Sequence, residues 1–337
     1  MSPIQCEIVV VGAGGLGLSV AAELTGRGHS LRVVDPGRTN ASAVAAGMIA
    51  PAFESLLDGV DAERAALLRD AALLWPGFAA RTGIKLDRTP AHWCGPDADE
   101  VAERLAALGF VVGPGAVSAT SDMRVDAAES LQVLQAGLTA PVIVEEAVAV
   151  ERTTEGWRLE TTAGAILARE VVIATGAARA LDGLPREVAS IIDAVQPIAG
   201  QIGRVSERLT DRVLRGREGY VAPVEGGVLI GATMVVGSRS SEPDHAASKR
   251  LAEAAGRLLG GEAPREIEWR GGVRGATADG LPLAGPVGDG LHLALAPRRN
   301  GWLMGPLVGR IVADGIEGRP RGRYAAALDP MRPIPAG

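Results

Sequence analysis

The chain has little cysteine: Cys6 and Cys94 are the only two in 337 residues. Two are too few for a disulfide scaffold and lie far from any Cys-x-x-Cys spacing, which excludes a dithiol reductase; each is expected as a buried strand residue. Histidine is also scarce. His29, His92, His245 and His292 are scattered without metal-ligand spacing, and no Ser-His-Asp arrangement is visible, so no metal site and no acyl-transfer chemistry are expected. No Lys/Arg-rich block occurs and the net charge is −6, which argues against nucleic acid or an anionic membrane as the main partner. No apolar run approaches the ~20 residues of a membrane span. The N-terminus enters a strand directly, without a basic region and apolar segment ahead of a cleavage site, so a cytoplasmic protein is expected. Internal repeats and low-complexity linkers are missing. What remains is a chain of 47% hydrophobic content, long enough for two domains, whose partners should be small molecules.

What is abundant is glycine, 45 residues of it. Four fall where chemistry uses them. The apolar run Ile8-Val9-Val10-Val11 breaks into Gly12-Ala13-Gly14-Gly15-Leu16-Gly17. Gly12 suits the tight turn after a strand, Gly14 a close approach of backbone to a pyrophosphate, and Gly17 the packing of the next helix on the sheet. That helix, Leu18 to about Arg27, aims its first N–H groups at the phosphates. A second strand, Leu31-Arg32-Val33-Val34, ends in Asp35, where a carboxylate would meet a ribose 2′-hydroxyl. The unit predicts a bound dinucleotide, and Asp35 disfavours NADP because two negative groups would meet.

Further along, residues 39–51 (Thr39 to Pro51) are rich in small side chains. They read either as an alanine-rich helix start or as a loop that gives a flat cofactor ring room against the backbone. One amphipathic helix is expected over Asp61 to Arg81, with Pro76 near its end and Trp75 in the core. A strand at 91–94, a helix over 98–108, a strand at 110–112 and a helix over 125–138 follow, then a strand at 142–144 and a meander from Ala147 to Leu167. The apolar run Val171-Val172-Ile173 ends in Ala174-Thr175-Gly176. From Gln196 to Glu268 the pattern is mostly β, closed by a helix over 246–259. Arg298 to Gly301 reads as a turn, and a helix is expected from about Gly305-Pro306 to Ile316, with Pro306 in its first turn. Its N-terminus would favour the negative charge of a reduced redox ring.

The Ala174-Thr175-Gly176 segment, after a nucleotide unit and a meander, resembles the second signature of two-dinucleotide-type flavoproteins, which implies FAD rather than NAD. With Ala45-Ala46-Gly47-Met48, Tyr220-Val221-Ala222-Pro223, Gly231-Ala232-Thr233-Met234, Gly272-Val273-Arg274, Thr277-Ala278-Asp279-Gly280-Leu281-Pro282 and Arg299-Asn300-Gly301, nearly the whole chain resembles the D-amino acid oxidase family of FAD enzymes. Within it, the likeness is greatest to the bacterial glycine oxidases of thiamine biosynthesis. The resemblance implies an α/β fold: a Rossmann-like FAD domain (1–82, 139–196 and 269–337) interleaved with an α+β substrate domain on a mainly antiparallel sheet (83–138 and 197–268). It implies that Arg274 grips a substrate carboxylate, a planar anion suited to a guanidinium fork, and that Tyr220 adds a hydroxyl to it. Met234 would line the same pocket or simply fill core. Arg299 would stand near the substrate entrance or flavin edge, or be a solvated turn arginine.

The same resemblance assigns FAD to the glycine turn (Gly12, Ala13, Gly14, Gly15, Leu16, Gly17), Asp35 and Pro36, the Ala45, Ala46, Gly47, Met48 segment, Val148, Ala174, Thr175 and Gly176, and to Arg274, Arg299, Asn300, Gly301, Trp302 and Leu303. The cofactor is expected to be non-covalent, since no cysteine follows Gly272-Val273-Arg274. One departure stands out: Ala296-Pro297-Arg298 occupies the place of the Gly-His usual before the Arg-Asn-Gly turn. The implied reaction is oxidative deamination of a small amino acid, glycine first, by hydride transfer from Cα to flavin N5, with O2 reoxidising the flavin to give H2O2 and the product feeding thiazole formation. Alternatives are a broader D-amino acid or N-methyl amino acid oxidase, a dehydrogenase passing electrons to a quinone, or a flavin-binding module without turnover. Relatives of this kind often form tetramers.

Overall fold

The computed structural model describes residues 3–113 and 117–334. Its first strand, Ile4–Val11, ends in a fully buried Ile-Val-Val-Val run. Burial on both faces is why the run is continuously apolar instead of alternating. The strand pairs in parallel with Leu31–Asp35 on one side and Ala165–Ile173 on the other. Leu291–Leu295 and Leu283–Gly288 extend the sheet beyond Ala165–Ile173, and Ile143–Val144 closes its opposite edge. Ala165–Ile173 belongs to two layers of pairing. Its first residues run antiparallel to Gly156–Thr161, and the meander continues to Ala147–Thr153. The expected meander end and the expected apolar strand are thus one strand.

A second sheet is ordered Val235–Val236, Gln196–Val205, Gly227–Gly231, Gly219–Val224, Val213–Gly216, Ala91–Trp93, Ser118–Ala119. Glu268–Ala276, which starts at the boundary expected for the return to the first unit, pairs along its full length with Gln196–Val205. The helix His245–Leu259 packs on this sheet through Leu251 and Ala255, against Val221, Val228 and Ile230. The architecture is the mixed α/β one expected.

Several local expectations are corrected. The single helix over 61–81 is two, Ala62–Leu73 and Trp75–Thr82, because Pro76 lacks an N–H and fits only the first turn of a new helix. Residues 110–112 form no strand; Val112 makes only an isolated bridge to Ala119. A short helix not expected from sequence, Pro51–Leu57, follows the small-residue segment. Neither cysteine is a buried strand residue: Cys6 is half-buried and Cys94 is exposed just past the strand Ala91–Trp93. Among the described residues, no helix is long and apolar enough to cross a membrane.

The last long helix, ahead of the short Ala325–Leu328, is also displaced from its expected start. It begins at Gly301, not near Gly305, so Pro306 lies inside it. Proline cannot donate to the carbonyl four residues earlier, that of Trp302. Trp75 fills the gap: its indole Nε1–H donates to Trp302 O at 3.0 Å and to Leu303 O at 3.3 Å. The helix packs closely on Gly15–Gly26, since a Cβ at Gly305 or Gly309 would meet Ser19 at 2.5 or 2.8 Å. Replacing Trp75 with Phe keeps one aromatic ring but removes the pyrrole ring with its N–H, leaving the Trp302 carbonyl buried without a donor at a cost of about 1–3 kcal/mol, to which the lost packing adds. A lowered midpoint in thermal melts is expected for Trp75→Phe, whereas an unchanged midpoint would mean that water serves this carbonyl equally well.

Candidate active site

The glycine turn lies at the end of Ile4–Val11, between the two strands that flank it, where open parallel sheets bind ligands. Gly12 has φ +111°, and a Cβ there would lie 2.4 Å from the Ala174 carbonyl oxygen. Gly17 is as constrained, with a Cβ 2.0 Å from Gly12 O and 3.1 Å from Ala174 Cβ. These two glycines therefore press the turn against the Ala174-Thr175-Gly176 segment. The Asp35 carboxylate is turned into the loop: Ala13 N–H donates to Oδ2 at 2.7 Å and Gly37 N–H to Oδ1 at 2.8 Å. Ser42 Oγ accepts from Gly15 N–H at 2.9 Å, and Trp302 Nε1–H donates to the Ser42 carbonyl at 3.2 Å. The turn, the small-residue segment and the last long helix thus meet at one place.

The groups here fit a dinucleotide. Thr175 Oγ1 is buried beside the turn with no hydrogen-bond partner. The N-cap residues Gly14 and Asn300 give no side-chain cap to the helices that start at Gly15 and Gly301, and Ser42 takes only the Gly15 N–H, so the next N–H groups of the first turns can serve a ligand. Gly47, at φ +67°, would put a Cβ 1.9 Å from Val125 O, so Ala45 to Met48 is held tight to its neighbour strand. Leu303 is wholly buried core, Trp302 nearly so, and Val148 is exposed on the meander with its carbonyl accepting from Asp182 N–H. Pro36 continues the strand end at Asp35.

Across the second sheet, register gathers the other assigned residues. Ile198 pairs with Arg274, Gly200 with Gly272, Ile202 with Gly231, and Gly231 with Tyr220. Directly paired residues share a face, so Arg274 and Tyr220 lie on one face with Ile198, Ile202 and the glycines at 200, 231 and 272. The absences are used. A Cβ on Gly200 would meet Arg274 Nη1 at 2.3 Å, and one on Gly231 would meet the Tyr220 hydroxyl at 2.2 Å. Arg274 Nη1 donates to Thr233 O at 3.2 Å, one residue before half-buried Met234, and Arg274 has no carboxylate partner among the described residues. Burial drives the Arg274 pKa down, opposed by Tyr220, and burial pushes the Tyr220 phenol up to about 12.

Beside this face stands an ion cluster that sequence reasoning missed. Glu54, on the short helix Pro51–Leu57, accepts from Arg215 Nη2 at 2.7 Å and pairs with Arg299. Asp58 pairs with Arg298 and, at 3.1 Å, with Arg299 Nη2. Burial would raise the Glu54 pKa, but Arg299 and Arg215 overcome it and hold Glu54 below the usual range. Arg299 is therefore neither solvated nor loose. Its turn is strained, with Ala296 at φ 58° and Arg298 at φ 53°, outside what such residues normally adopt. The turn is closed by Asn300 N–H donating to Pro297 O and Arg298 N–H donating to Gly275 O. Glu54 carried a faint sequence signal, a lone acid after an apolar Pro-Ala-Phe; Arg215 carried none.

Asp122 fixes the helix that presents Glu54. Its carboxylate accepts from Ala52 N–H at 2.9 Å and Phe53 N–H at 3.3 Å. Burial pushes its pKa from the ordinary 3.8 up to about 7. Between those values the folded protein binds the proton more tightly than the unfolded chain does, so this group makes stability fall as pH rises through that window. Asp122→Asn is expected to flatten the decline of the melting midpoint from pH 4 to pH 7; an undiminished slope would assign it to other groups.

Comparison with known proteins identifies the family. Residues 7–315 match the family described as FAD dependent oxidoreductase. The chain is 29% identical over 359 aligned positions to the glycine oxidase of Geobacillus kaustophilus, covering 92% of this chain and 93% of that protein. It is 31% identical to the bifunctional protein ThiO/ThiG of Nostoc sp., covering 92% of this chain and 52% of that relative, about half its length. The crystal structure of glycine oxidase from Geobacillus kaustophilus has the same fold, with a TM-score of 0.80 at 22% identity over 98% of this chain and 100% of that one. Since the match runs from the first strand into the last long helix, through the glycine turn and both sheets, the chain belongs to the family of FAD-dependent oxidoreductases.

Proposed function

We propose that the protein oxidises a small amino acid at the bond between Cα and nitrogen, with glycine the first candidate and its product a precursor for thiazole formation. The observation that carries this is Arg274, a half-buried guanidinium with no carboxylate partner among the described residues, on one sheet face with Tyr220. A half-buried cation lacking a counter-charge favours an anion of matching shape, and a carboxylate takes both prongs of the fork. The Tyr220 hydroxyl, kept protonated by burial, adds a donor to the same anion. FAD, when bound, would supply a two-electron acceptor for the Cα hydride, with O2 as the final acceptor and H2O2 as its product. We assign its non-covalent binding to the glycine turn, Asp35 and Pro36, Ala45 to Met48, Val148, Ala174 to Gly176, and Arg299 to Leu303. Met234 is assigned to the substrate pocket wall.

None of the gathered side chains is a base near neutrality: Arg274 and Arg299 are cations, Tyr220 is held protonated and Glu54 is tied to two arginines. The amine accordingly binds in its neutral form, and the residues act by orientation, which can supply much of the rate. Glycine as substrate has support in the glycine oxidase relative, and the thiazole link in the ThiO/ThiG relative.

The direct test is a peroxide assay across glycine, sarcosine, D-alanine and D-proline on yellow, purified protein. Fastest turnover on glycine is expected, with flavin released on acid precipitation; a holoprotein inert to all four would overturn amino acid oxidation. Arg274→Ala is expected to raise the KM for the amino acid by about a hundredfold while FAD stays bound. Unaltered kinetics in that variant would remove Arg274 from the substrate.

A further inference from the structure

A buried arginine lies against Tyr220 for which the carboxylate clamp gives no reason. Arg215 sits directly opposite Tyr220 in the strand pair Val213–Gly216 and Gly219–Val224. Its guanidinium carbon is 5.6 Å from the centroid of the Tyr220 ring. The side chain is 4% exposed. Nη2 donates to Glu54 Oε1, Nη1 donates to Met48 Sδ, and Nε is buried without a partner. Glu54 already has Arg299 as a counter-ion. Pairing with Glu54 alone does not require the guanidinium to lie over an aromatic ring.

A phenol that must present its hydroxyl at a fixed point can swing about two torsions unless it is held on both sides. On one side is Gly231, where a side chain would occupy the place of the Tyr220 hydroxyl. On the other is Arg215. We propose that Arg215 is a positioning residue for Tyr220: its cation–π contact holds the ring against the Gly231 backbone, and its bonds to Met48 and Glu54 fix the ring relative to the segment assigned to the flavin. A desolvated cation–π contact is among the stronger of its kind, and arginine, unlike lysine, combines stacking with two in-plane hydrogen bonds. The inference rests on the reading of Tyr220 as a carboxylate ligand.

The test is a double-mutant cycle of Arg215→Met with Tyr220→Phe, read by KM and kcat for glycine and by the Kd of acetate, a bare carboxylate probe, from perturbation of the flavin absorption. In the parent, Arg215→Met is expected to raise KM and the acetate Kd by about five- to tenfold, with kcat less affected. In the Tyr220→Phe background, which has no hydroxyl left to position, the same change should have no further effect. An equal loss in both backgrounds, or none in the parent, overturns the proposal. If Tyr220→Phe alone leaves acetate affinity intact while Arg274→Ala abolishes it, the reading of Tyr220 has failed instead. Arg215→Lys keeps a charge beside Glu54 but loses the planar fork, so it supplies the cycle if the methionine variant does not fold, and the same coupling to Tyr220 is expected.

Discussion

Taking a guanidinium out of water costs several kcal/mol unless charge and hydrogen bonds replace the lost hydration. Much of this molecule is arranged around that cost. Arg215 and Arg299 share Glu54, and Arg298 and Arg299 share Asp58, so four cations including Arg274 face two carboxylates held ready on or next to one short helix. Arg274 is left with a backbone carbonyl. The imbalance is local to this cluster, and under the proposed function an incoming carboxylate would supply the missing counter-charge.

The short helix that carries Glu54 is in turn a dependent part. Its first N–H groups are held by Asp122, a buried carboxylate with a raised affinity for its proton. Met48, just ahead of that helix, accepts from the same arginine that lies on Tyr220. The segment assigned to the flavin and the face assigned to the substrate are thus tied by side chains belonging to neither the glycine turn nor the carboxylate clamp.

The first thirty-five residues could be read directly, because a strand, a glycine turn and a second strand are local features whose chemistry is written in consecutive positions. Arg274 and Tyr220 were legible through resemblance; what sequence could not give was their common face, which comes from the register of four strands far apart in the chain. Pro306 was misread since proline usually opens a helix, and its toleration inside one depends on Trp75, more than two hundred residues earlier. Glu54, Asp58 and Arg215 escaped for the same reason: an isolated charge in an apolar stretch acquires meaning only once its partner, 161 positions away in the case of Glu54 and Arg215, is packed against it.

The side chains of Arg274 and Tyr220 occupy places that two other residues leave empty. Gly200 and Gly231 give room that any other amino acid would take from Arg274 and Tyr220 themselves. Variation at these positions can run in only one direction, toward a smaller chamber or a displaced clamp. Under the proposed function, a lineage turning to bulkier amines would have to gain volume away from these two glycines, which should therefore drift more slowly than the residues that face them.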